Sequence, residues 1–461
     1  MGLTKELVTY DLSLENYISQ RCYGIVITAT NNKTKDQVAI KLFDLSKPNF
    51  MLIEMDTMSR LKHPHIIGST TIISKHNGAL TDYIGVVMPL ATCVLTNFDT
   101  ESIGTKQCLS LFYKLANGLA YLHSQRILHL DIKSDNIVIK DGEPYWIDFG
   151  SSSFVDNIQD GIEHQTPLVS LLYRGPEIYN EDRQYTGATD VWAFGMLMLL
   201  TITDNMTWYN VDDTQFSYQW LSNKFNTSEY IHSEISKISK LSIADELSLV
   251  NVLASMLRII PNKRITMEQI CNHTVFNSVR THINGSLAVI TYSQTFHPHH
   301  HVLMCKLISW FTNNTESTTG VLFLTIDMYY RVANRYSSNS DQTLEILVIL
   351  FTMACEILED LIPDSSILDK LWFIASDKIQ LKLQLLHELN GVIYHSPYYD
   401  AAKNGDELQA ILTDIILNCD PKLYITTNID DWFKELRSKL TITNKFPNGD
   451  VESDSDNSNN E

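Results

Sequence analysis

The sequence predicts an α+β protein of two lobes, a small β-rich lobe and a larger α-rich lobe, followed by an all-α domain. Three observations support this fold class. β-Branched and apolar residues dominate segments of the first hundred positions, such as 24–30 (GIVITAT) and 37–42 (QVAIKL). From Thr105 onward, apolar residues recur at helical spacing. After about Asn277, strand patterns nearly vanish and helical patterns follow one another.

The elements of the two lobes can be placed in order. Segments 24–30 and 37–42 are expected to form two strands joined by a polar turn, and a helix should follow at about 50–61. Further strands are predicted at about 69–74 and 83–88. The α-rich lobe should begin with a long helix whose apolar face carries Phe112, Leu115, Leu119 and Leu122.

Beyond the lobes, five helices are predicted, at 302–313, 320–334, 342–361, 366–375 and 378–389. Short connections between them suggest an independent helical domain. The final residues (FPNGDVESDSDNSNNE) are polar and acidic, which is typical of a disordered tail. The expected division is 1–277 for the two lobes (about 10–90 and 91–277), 285–400 for the helical domain, 401–445 for an additional helical segment and 446–461 for the tail.

Composition narrows the class of protein. The 461 residues include 54 acidic and 35 basic side chains, a net charge of −19 that weighs against a nucleic-acid partner. The longest apolar runs, at 346–355 and 191–200, are shorter than the roughly 18 residues of a membrane span, so no membrane partner is expected. Seven scattered cysteines without a C-x-x-C pair suggest reduced thiols. We therefore expect an intracellular protein, cytoplasmic or nuclear and not secreted.

Three short segments carry chemistry. Residues 38–41 (VAIK) place a lysine at the end of a predicted strand. Residues 129–136 (HLDIKSDN) follow the long helix. Residues 148–150 (DFG) begin twelve positions after Asn136 and directly follow a short predicted strand. Any one of these motifs alone is weak. Their order and their matching structural contexts make the set specific.

The polar residues of these segments match the needs of phosphoryl transfer from ATP. That reaction uses a cation on the phosphates, carboxylate and amide oxygens on magnesium, and a carboxylate that faces the attacking hydroxyl. Lys41, Asp148, Asn136 and Asp131 supply these groups. Here the sequence resembles a eukaryotic-type protein kinase, which implies the bilobal protein-kinase fold and the cofactors ATP and Mg²⁺.

The resemblance implies an ATP-binding set. Glu54 stands nine residues before 63–66 (HPHI), the kinase spacing for the glutamate that pairs with Lys41. Met88 and Leu90 lie in 88–91 (MPLA), which resembles the gatekeeper and hinge beside adenine. The other residues that the resemblance assigns to ATP binding are Gly24, Ser19, Val26, Ala39 and Val138.

The resemblance also assigns the catalytic and metal-binding residues. Asp131 would accept or orient the hydroxyl proton, and Lys133 would stabilise the transferred phosphoryl group. Ser170 aligns with the threonine that ties these two together in serine/threonine kinases. Asn136 and Asp148 would hold magnesium. Lys133 and Ser170 imply protein substrates that carry serine or threonine.

Two further pairings are structural expectations. Glu177, in 175–177 (GPE), should form a buried ion pair with Arg264. Asp190, in 189–192 (TDVW), should brace the backbone of the catalytic loop at 129–136.

Three stretches are similar specifically to cyclin-dependent kinases: 48–54 (PNFMLIE), 168–177 (LVSLLYRGPE) and 185–195 (YTGATDVWAFG). In that setting Arg174 usually shapes a site that prefers proline after the phosphoacceptor. A preference for Ser/Thr-Pro substrates is therefore implied.

The helical segments are similar, more loosely, to a cyclin box over about 287–400. The likeness lies in a tryptophan-bearing helix at Trp310 followed by 321–334, 344–363 and 383–398. It implies an intramolecular cyclin-like partner, a fusion that would suit a large DNA virus. Glu356 replaces the lysine with which cyclins contact the kinase, and an unrelated helical appendage is the alternative.

Two departures from the kinase pattern matter. The phosphate loop G-x-G-x-x-G falls on 19–24 (SQRCYG), where only Gly24 is retained. The arginines that read a phosphorylated activation loop are replaced by Ile53, Leu130 and Ser153, and Gln165 occupies the usual phosphoacceptor position. We predict an activity that does not depend on phosphorylation of this loop. The alternative function is a pseudokinase scaffold that recruits partners.

Overall fold

The computed structural model describes residues 12–21, 24–43, 48–75, 83–100, 103–155, 157–163, 168–180, 183–203, 216–238, 242–287, 319–332, 346–347, 349–354, 357 and 379–389. The strands are β1 (Leu12–Arg21), β2 (Gly24–Asn31), β3 (Gln37–Phe43), β4 (Leu61–Lys62), β5 (Thr71–Lys75), β6 (Tyr83–Pro89), β7 (Cys93–Val94), β8 (Ile127–Leu128), β9 (Ile137–Lys140), β10 (Glu143–Trp146), β11 (Ser153–Phe154), β12 (Ile162–Glu163), β13 (Gln184–Tyr185) and β14 (Ser286–Leu287). The helices are α1 (Pro48–Arg60), α2 (Gly104–Ser124), α3 (Gly187–Thr203), α4 (Tyr218–Phe225), α5 (Glu229–Ile235), α6 (Ile243–Met256), α7 (Met267–Cys271), α8 (Thr319–Val332) and α9 (Ile379–Glu388).

The N-terminal lobe is an antiparallel sheet in the order β1-β2-β3-β6-β5. Its register places Val26 opposite Lys41 and Ala39 opposite Met88. Opposed residues of neighbouring strands, and alternate residues of one strand, share a face of a sheet. The alternation of the VAIK segment therefore brings these four side chains to the same face, where the site lies.

Helix α1 lies under this sheet and carries Glu54. Its observed start and end agree closely with the predicted helix at 50–61. All ten side chains from Met51 to Arg60 are at most 3% exposed, including the polar Asp56 and Ser59. A helix on the surface of a lobe normally shows one solvated face. Helix α1 is instead covered on every side.

The C-terminal lobe is built around α2 and α3. The apolar run predicted at 191–200 forms the core of α3, where every side chain is at most 6% exposed. Phe112 of α2 packs edge-on against Phe194 of α3, with ring centroids 5.9 Å apart. The expected ion pair is present, since the two terminal guanidinium nitrogens of Arg264 each donate to the Glu177 carboxylate at 2.7 Å. These observations confirm the bilobal kinase fold.

Three stretches of the predicted helical domain are described: α8, helical residues within 346–357, and α9. Their buried residues include Leu324, Met328, Phe351 and Leu386, and they belong to one continuous hydrophobic cluster with the side chains of α1. Helix α9 lies beside β5, the edge strand of the sheet. The predicted helices at 302–313 and 366–375, the segment at 401–445 and the tail at 446–461 lie outside the described residues.

The ten-residue strand β1 and several two-residue strands, β14 among them, were not predicted. Strand β14 follows the C-terminal lobe and pairs with β4. Two-residue strands are defined by their partner and not by a sequence period, which explains the miss. Across the described part of the chain, no helix has the length and apolar character that a membrane span requires.

Candidate active site

A cavity of about 410 Å³ opens between the two lobes. Five apolar residues that the resemblance assigned to ATP binding line it: Val26, Ala39, Met88, Leu90 and Val138. Apolar walls with a few polar groups at one end are typical of nucleotide pockets.

Several lining residues were missed by sequence reasoning. Met58 of α1 and Ile67 lie at the back of the cavity, whereas Cys93, Val94 and Asn97 lie beyond the segment that joins the lobes. Their short elements, β7 and the turn after it, carry no periodicity of their own. A helical reading of 50–61 would have placed Met58 one turn after Glu54, on the same face.

Lys41 lies at the polar end of the cavity. Its Nζ donates to both carboxylate oxygens of Glu54, at 2.5 and 2.6 Å, and to Asp148 Oδ1 at 2.9 Å. Burial alone would lower the pKa of Lys41, but the two carboxylates outweigh it and hold this pKa above its usual value. The lysine is therefore a fixed cation aimed into the cavity.

Asp148 begins the DFG segment, where the chain turns sharply. Its φ of +64° lies in the left-handed region, which is uncommon for a residue with a side chain. The turn sends the Asp148 carboxylate toward the cavity and Phe149 in the opposite direction. Phe149 is fully buried against the ring of His129, 5.3 Å away. The same backbone turn thus presents the carboxylate and anchors the segment in the core.

The Asp131 carboxylate is the centre of the catalytic loop. Its Oδ1 accepts from the hydroxyl of Ser170 at 2.7 Å. Its Oδ2 accepts from Lys133 Nζ at 2.6 Å and from Asn136 Nδ2 at 2.8 Å. Lys133 also contacts the Ser170 hydroxyl oxygen at 3.2 Å. The structure therefore brings together all three residues predicted to be catalytic, with a predicted metal ligand beside them.

Asn136 fits a metal site. Its amide nitrogen donates to the carbonyl and the carboxylate of Asp131, both at 2.8 Å. Its Oδ1 is buried and, among the residues that the structure describes, finds no hydrogen-bond donor. A buried amide oxygen without a donor is costly and is a good ligand for Mg²⁺. Together with the Asp148 carboxylate it supplies the hard oxygen ligands that this ion prefers.

Asp190 braces the loop from α3. Its carboxylate accepts from the backbone N–H groups of His129 and Leu130, at 2.8 and 2.9 Å, and contacts His123 Nε2 at 2.9 Å. Burial would raise the pKa of Asp190, but the bonds from His123 and His129 hold it below its usual value. Leu130 has a φ of +62°. The brace therefore holds a strained backbone at the residue directly before Asp131.

Strands β1 and β2 pair antiparallel at the positions of the phosphate loop. Arg21, the last residue of β1, pairs with Gly24, the first of β2, so only two residues lie between the strands. A Cβ at Gly24 would lie 2.1 Å from the carbonyl oxygen of Leu42. Gly24 is thus required by strand packing, and it is not among the residues that line the cavity. The backbone of Ser19 lies opposite Val26, and its side chain is outside the description.

The start of the activation segment is anchored by backbone pairing to the strand that directly precedes the catalytic loop. Strand β11 pairs with β8, and the guanidinium of Arg60 lies 5.5 Å above the ring of Phe154. At the three positions predicted to lack arginine, Ile53, Leu130 and Ser153 are all buried. Gln165 lies outside the described residues.

Known proteins support the same interpretation. The profile described as protein kinase domain matches residues 15–276. The chain is 24% identical to probable serine/threonine-protein kinase MARK-C of Dictyostelium discoideum over 341 residues, 70% of this chain and 41% of that protein. It is 29% identical to mitogen-activated protein kinase 13 of Arabidopsis thaliana and 30% identical to mitogen-activated protein kinase mpk-1 of Caenorhabditis elegans, each over 190 residues and 40% of this chain.

The chain spans only 41 to 52% of the length of these three relatives. By name, one of these relatives is a probable serine/threonine-protein kinase and two are mitogen-activated protein kinases. The specific resemblance to cyclin-dependent kinases, the cyclin-like box and the viral setting stay predictions.

Proposed function

Because this chain belongs to the protein kinase family, we propose that it is a serine/threonine kinase that transfers the γ-phosphoryl group of ATP to protein hydroxyls. The observation that carries the proposal is the joint placement of Lys41, Glu54 and Asp148 at one end of the cavity. Asp131, held by its three side-chain donors, completes the set. A scaffold without chemistry would not need every one of these groups.

The chain's own residues divide the work. Lys41 would neutralise phosphate oxygens, and Glu54 keeps its ammonium directed. Asn136 and Asp148 would hold Mg²⁺, which when bound neutralises charge on the phosphates. Asp131 would orient the substrate hydroxyl and take its proton, and the ammonium of Lys133 lies where charge on the transferred group could be stabilised.

Radiolabel transfer tests the proposal. The purified full chain is incubated with γ-labelled ATP, Mg²⁺ and peptides that differ only in a serine, threonine or tyrosine acceptor. We expect labelling of the serine and threonine peptides, and its loss in Asp148→Ala. Wild-type labelling no higher than that of Asp148→Ala would favour the scaffold function.

We propose further that the substrates carry proline after the acceptor. Arg174 Nε donates at 2.7 Å to the carbonyl of Val169, the residue directly before Ser170. A carbonyl satisfied in this way is a poor acceptor for a substrate N–H group. Proline has no N–H group to leave unsatisfied, whereas other residues would bury a donor at a cost of about 1–3 kcal/mol.

A matched pair of arginines tests this preference. Arg183 Nε donates to the carbonyl five residues earlier, that of Ile178, as Arg174 does to Val169. Arg174→Ala should free the Val169 carbonyl and lower the ratio of Ser-Pro to Ser-Ala peptide turnover toward one. Arg183→Ala should leave the ratio unchanged. Equal ratios in wild type and Arg174→Ala would contradict the proposal.

We propose that the helical region, 285–400 by the sequence division, activates the kinase domain in cis. The burial of residues 51–60 of α1 and the position of α9 beside β5 support this. A tethered domain needs little intrinsic affinity because its effective concentration is high. Whether the region is a cyclin box is a separate question from whether it holds α1.

Two substitutions on α9 test the activation. Leu386 is fully buried and Gln384, on the same helix, is exposed. Leu386→Asp should lower kcat/KM by about tenfold or more, because a misplaced α1 withdraws Glu54 from Lys41. Gln384→Asp should retain activity. Unchanged turnover in a folded Leu386→Asp protein would leave the region without an activating role.

We also propose that loop phosphorylation is dispensable. The backbone pairing of β11 with β8 and the apolar Leu130 support this. Phosphatase treatment, monitored by mass spectrometry, should leave the activity intact. Loss of most activity on complete dephosphorylation of the activation loop would contradict it.

A further inference from the structure

The chain that leaves the C-terminal lobe turns back toward the N-terminal lobe. We call residues 281–287 the return segment. Its last two residues form β14, which pairs antiparallel with β4: Ser286 lies opposite Lys62 and Leu287 opposite Leu61. Strand β4 begins directly after Arg60, the last residue of α1. The return segment therefore adds a backbone partner at the point where α1 ends.

Two tyrosines of α2 hold the return segment along its length. The hydroxyl of Tyr113 donates to the carbonyl of Thr281 at 2.6 Å. The hydroxyl of Tyr121 donates to the carbonyl of Ser286 at 2.7 Å. The two tyrosines are eight residues apart, which is about 12 Å along a helix. The segment thus runs beside α2, from the base of the C-terminal lobe toward the N-terminal lobe.

Tyr121 of α2 contacts both the return segment and the residue that follows β4. Its ring stacks on His63, the residue after β4, with centroids 5.2 Å apart and planes 16° apart. The same ring abuts Gly285 so closely that a Cβ there would lie 2.4 Å from a ring carbon. The close approach requires glycine at this position, because any side chain would displace the ring or the segment.

From this geometry we propose that the return segment is a positioning element for the Lys41–Glu54 pair, and that Tyr121 is its main positioning residue. Glu54 lies six residues before the end of α1, about 9 Å along the helix. Because β4 directly follows α1, holding β4 against α2 also fixes the position of α1 along its axis. The distance from Glu54 to Lys41 depends on that position. The inference rests on the proposed kinase activity, since it concerns that same pair.

The test pairs two glycines in the full chain. Gly285→Ala introduces the crowded Cβ, and Gly68→Ala is the control, because a Cβ at Gly68 would meet its nearest neighbour at an ordinary 3.7 Å. We expect Gly285→Ala to raise the KM for ATP about tenfold, within the ~100-fold that a misplaced catalytic group can cost. The KM for the peptide should not change. Partial unfolding would lower kcat and leave both KM values in place.

A double-mutant cycle with Glu54→Gln decides whether the segment acts through Glu54. Residues that act through one group are not additive. Gly285→Ala should therefore add little in the Glu54→Gln background. An equal fold-loss in both backgrounds would overturn the proposal, as would a Gly285→Ala protein indistinguishable from Gly68→Ala.

A milder variant covers the case in which Gly285→Ala fails to fold. Tyr121→Phe removes only the hydroxyl that donates to Ser286, and it should raise the KM for ATP by about threefold, as expected for one hydrogen bond. The same cycle with Glu54→Gln applies, and additive losses would again overturn the inference. Absence of transfer by the wild type would instead contradict the proposed function, so the two failures are distinguishable.

Discussion

The catalytic loop and helix α1 hold their functional carboxylates in different ways. Asp131 is surrounded by donors from its own loop and from Ser170, and Asp190 braces the backbone. Glu54 bonds to Lys41 across the lobe, and its position depends on how α1 is packed. The hydrophobic cluster that contains the side chains of α1 also contains residues of α9, and β14 pairs with the strand that directly follows α1.

The difference separates chemistry from control. A carboxylate held by its neighbours keeps its geometry whenever the C-terminal lobe is folded. A carboxylate on a helix held by remote segments is correctly placed only when those segments are docked. The Lys41–Glu54 pair is therefore the part of the site at which we propose that the remainder of the chain governs activity.

The largest expected effect comes from Asp131→Asn. The amide removes the proton acceptor and turns an N–H group toward the donors of Lys133 and Asn136. We expect kcat to fall by roughly 10²- to 10⁴-fold, the contribution typical of general base catalysis. Asp141, whose side chain is 81% exposed in the turn between β9 and β10, provides the control as Asp141→Asn. Steady-state kinetics would contradict the local picture if both variants lost activity equally.

Glu54→Gln is expected to have an intermediate effect. The substitution keeps the volume of the side chain but leaves Lys41 with the carboxylate of Asp148 alone. Because Lys41 would then lean toward Asp148, we expect kcat/KM for ATP to fall by up to about 100-fold. The KM for the peptide should stay constant. A fall in peptide affinity of the same size would show that α1 also shapes the substrate site.

The contrast between these regions also explains what sequence could predict. Asp131, Lys133 and Asn136 lie within six residues, and local spacing is sufficient to assign them. Glu54 could be assigned because the spacing to 63–66 is short. The pairing of β14 with β4 joins residues more than 200 positions apart, and a strand of two residues is too short to show a period of its own. Burial of the polar face of α1 likewise depends on segments that no local pattern connects to it.

Gly24 illustrates a related limit. Its retention in a degenerate phosphate loop suggested contact with phosphates. The structure gives it a different reason, the 2.1 Å approach that a Cβ would make to the Leu42 carbonyl. A glycine in a sequence indicates that a backbone passes close by, but the identity of the neighbour is decided by strand register.

A smaller effect is expected on the free energy of unfolding at acid pH, through His63, the residue after β4. Burial first, and His65 second, lower the pKa of His63 to about 4. The unfolded chain binds this proton near pH 6.5, so the free energy of unfolding should fall as the pH drops from 6.5 to 4. The shift of the His63 pKa, at 1.36 kcal/mol per pKa unit, sets the upper limit of this contribution. We expect His63 to contribute about 2 kcal/mol, which is below that limit.

His63→Phe isolates that contribution because it keeps a ring against Tyr121 and removes the titration. Denaturant unfolding between pH 7 and 4 should show a shallower pH slope for His63→Phe than for wild type. Parallel slopes for wild type and His63→Phe would mean that His63 stays accessible to protons in the folded state.

The smallest expected effect lies at Ser170, where the local network can be altered by one group. Its hydroxyl donates to Asp131 and lies 3.2 Å from Lys133, so Ser170→Ala removes one bond among several. We expect kcat to fall by about three- to tenfold, the worth of one hydrogen bond. Ser170→Thr keeps the hydroxyl and should restore activity to within about twofold of wild type on the same scale. Because Asp131 keeps its bonds from Lys133 and Asn136, the KM for ATP should not change in either variant. A raised KM for ATP in Ser170→Ala would show that the carboxylates of Asp131 and Glu54 are coupled.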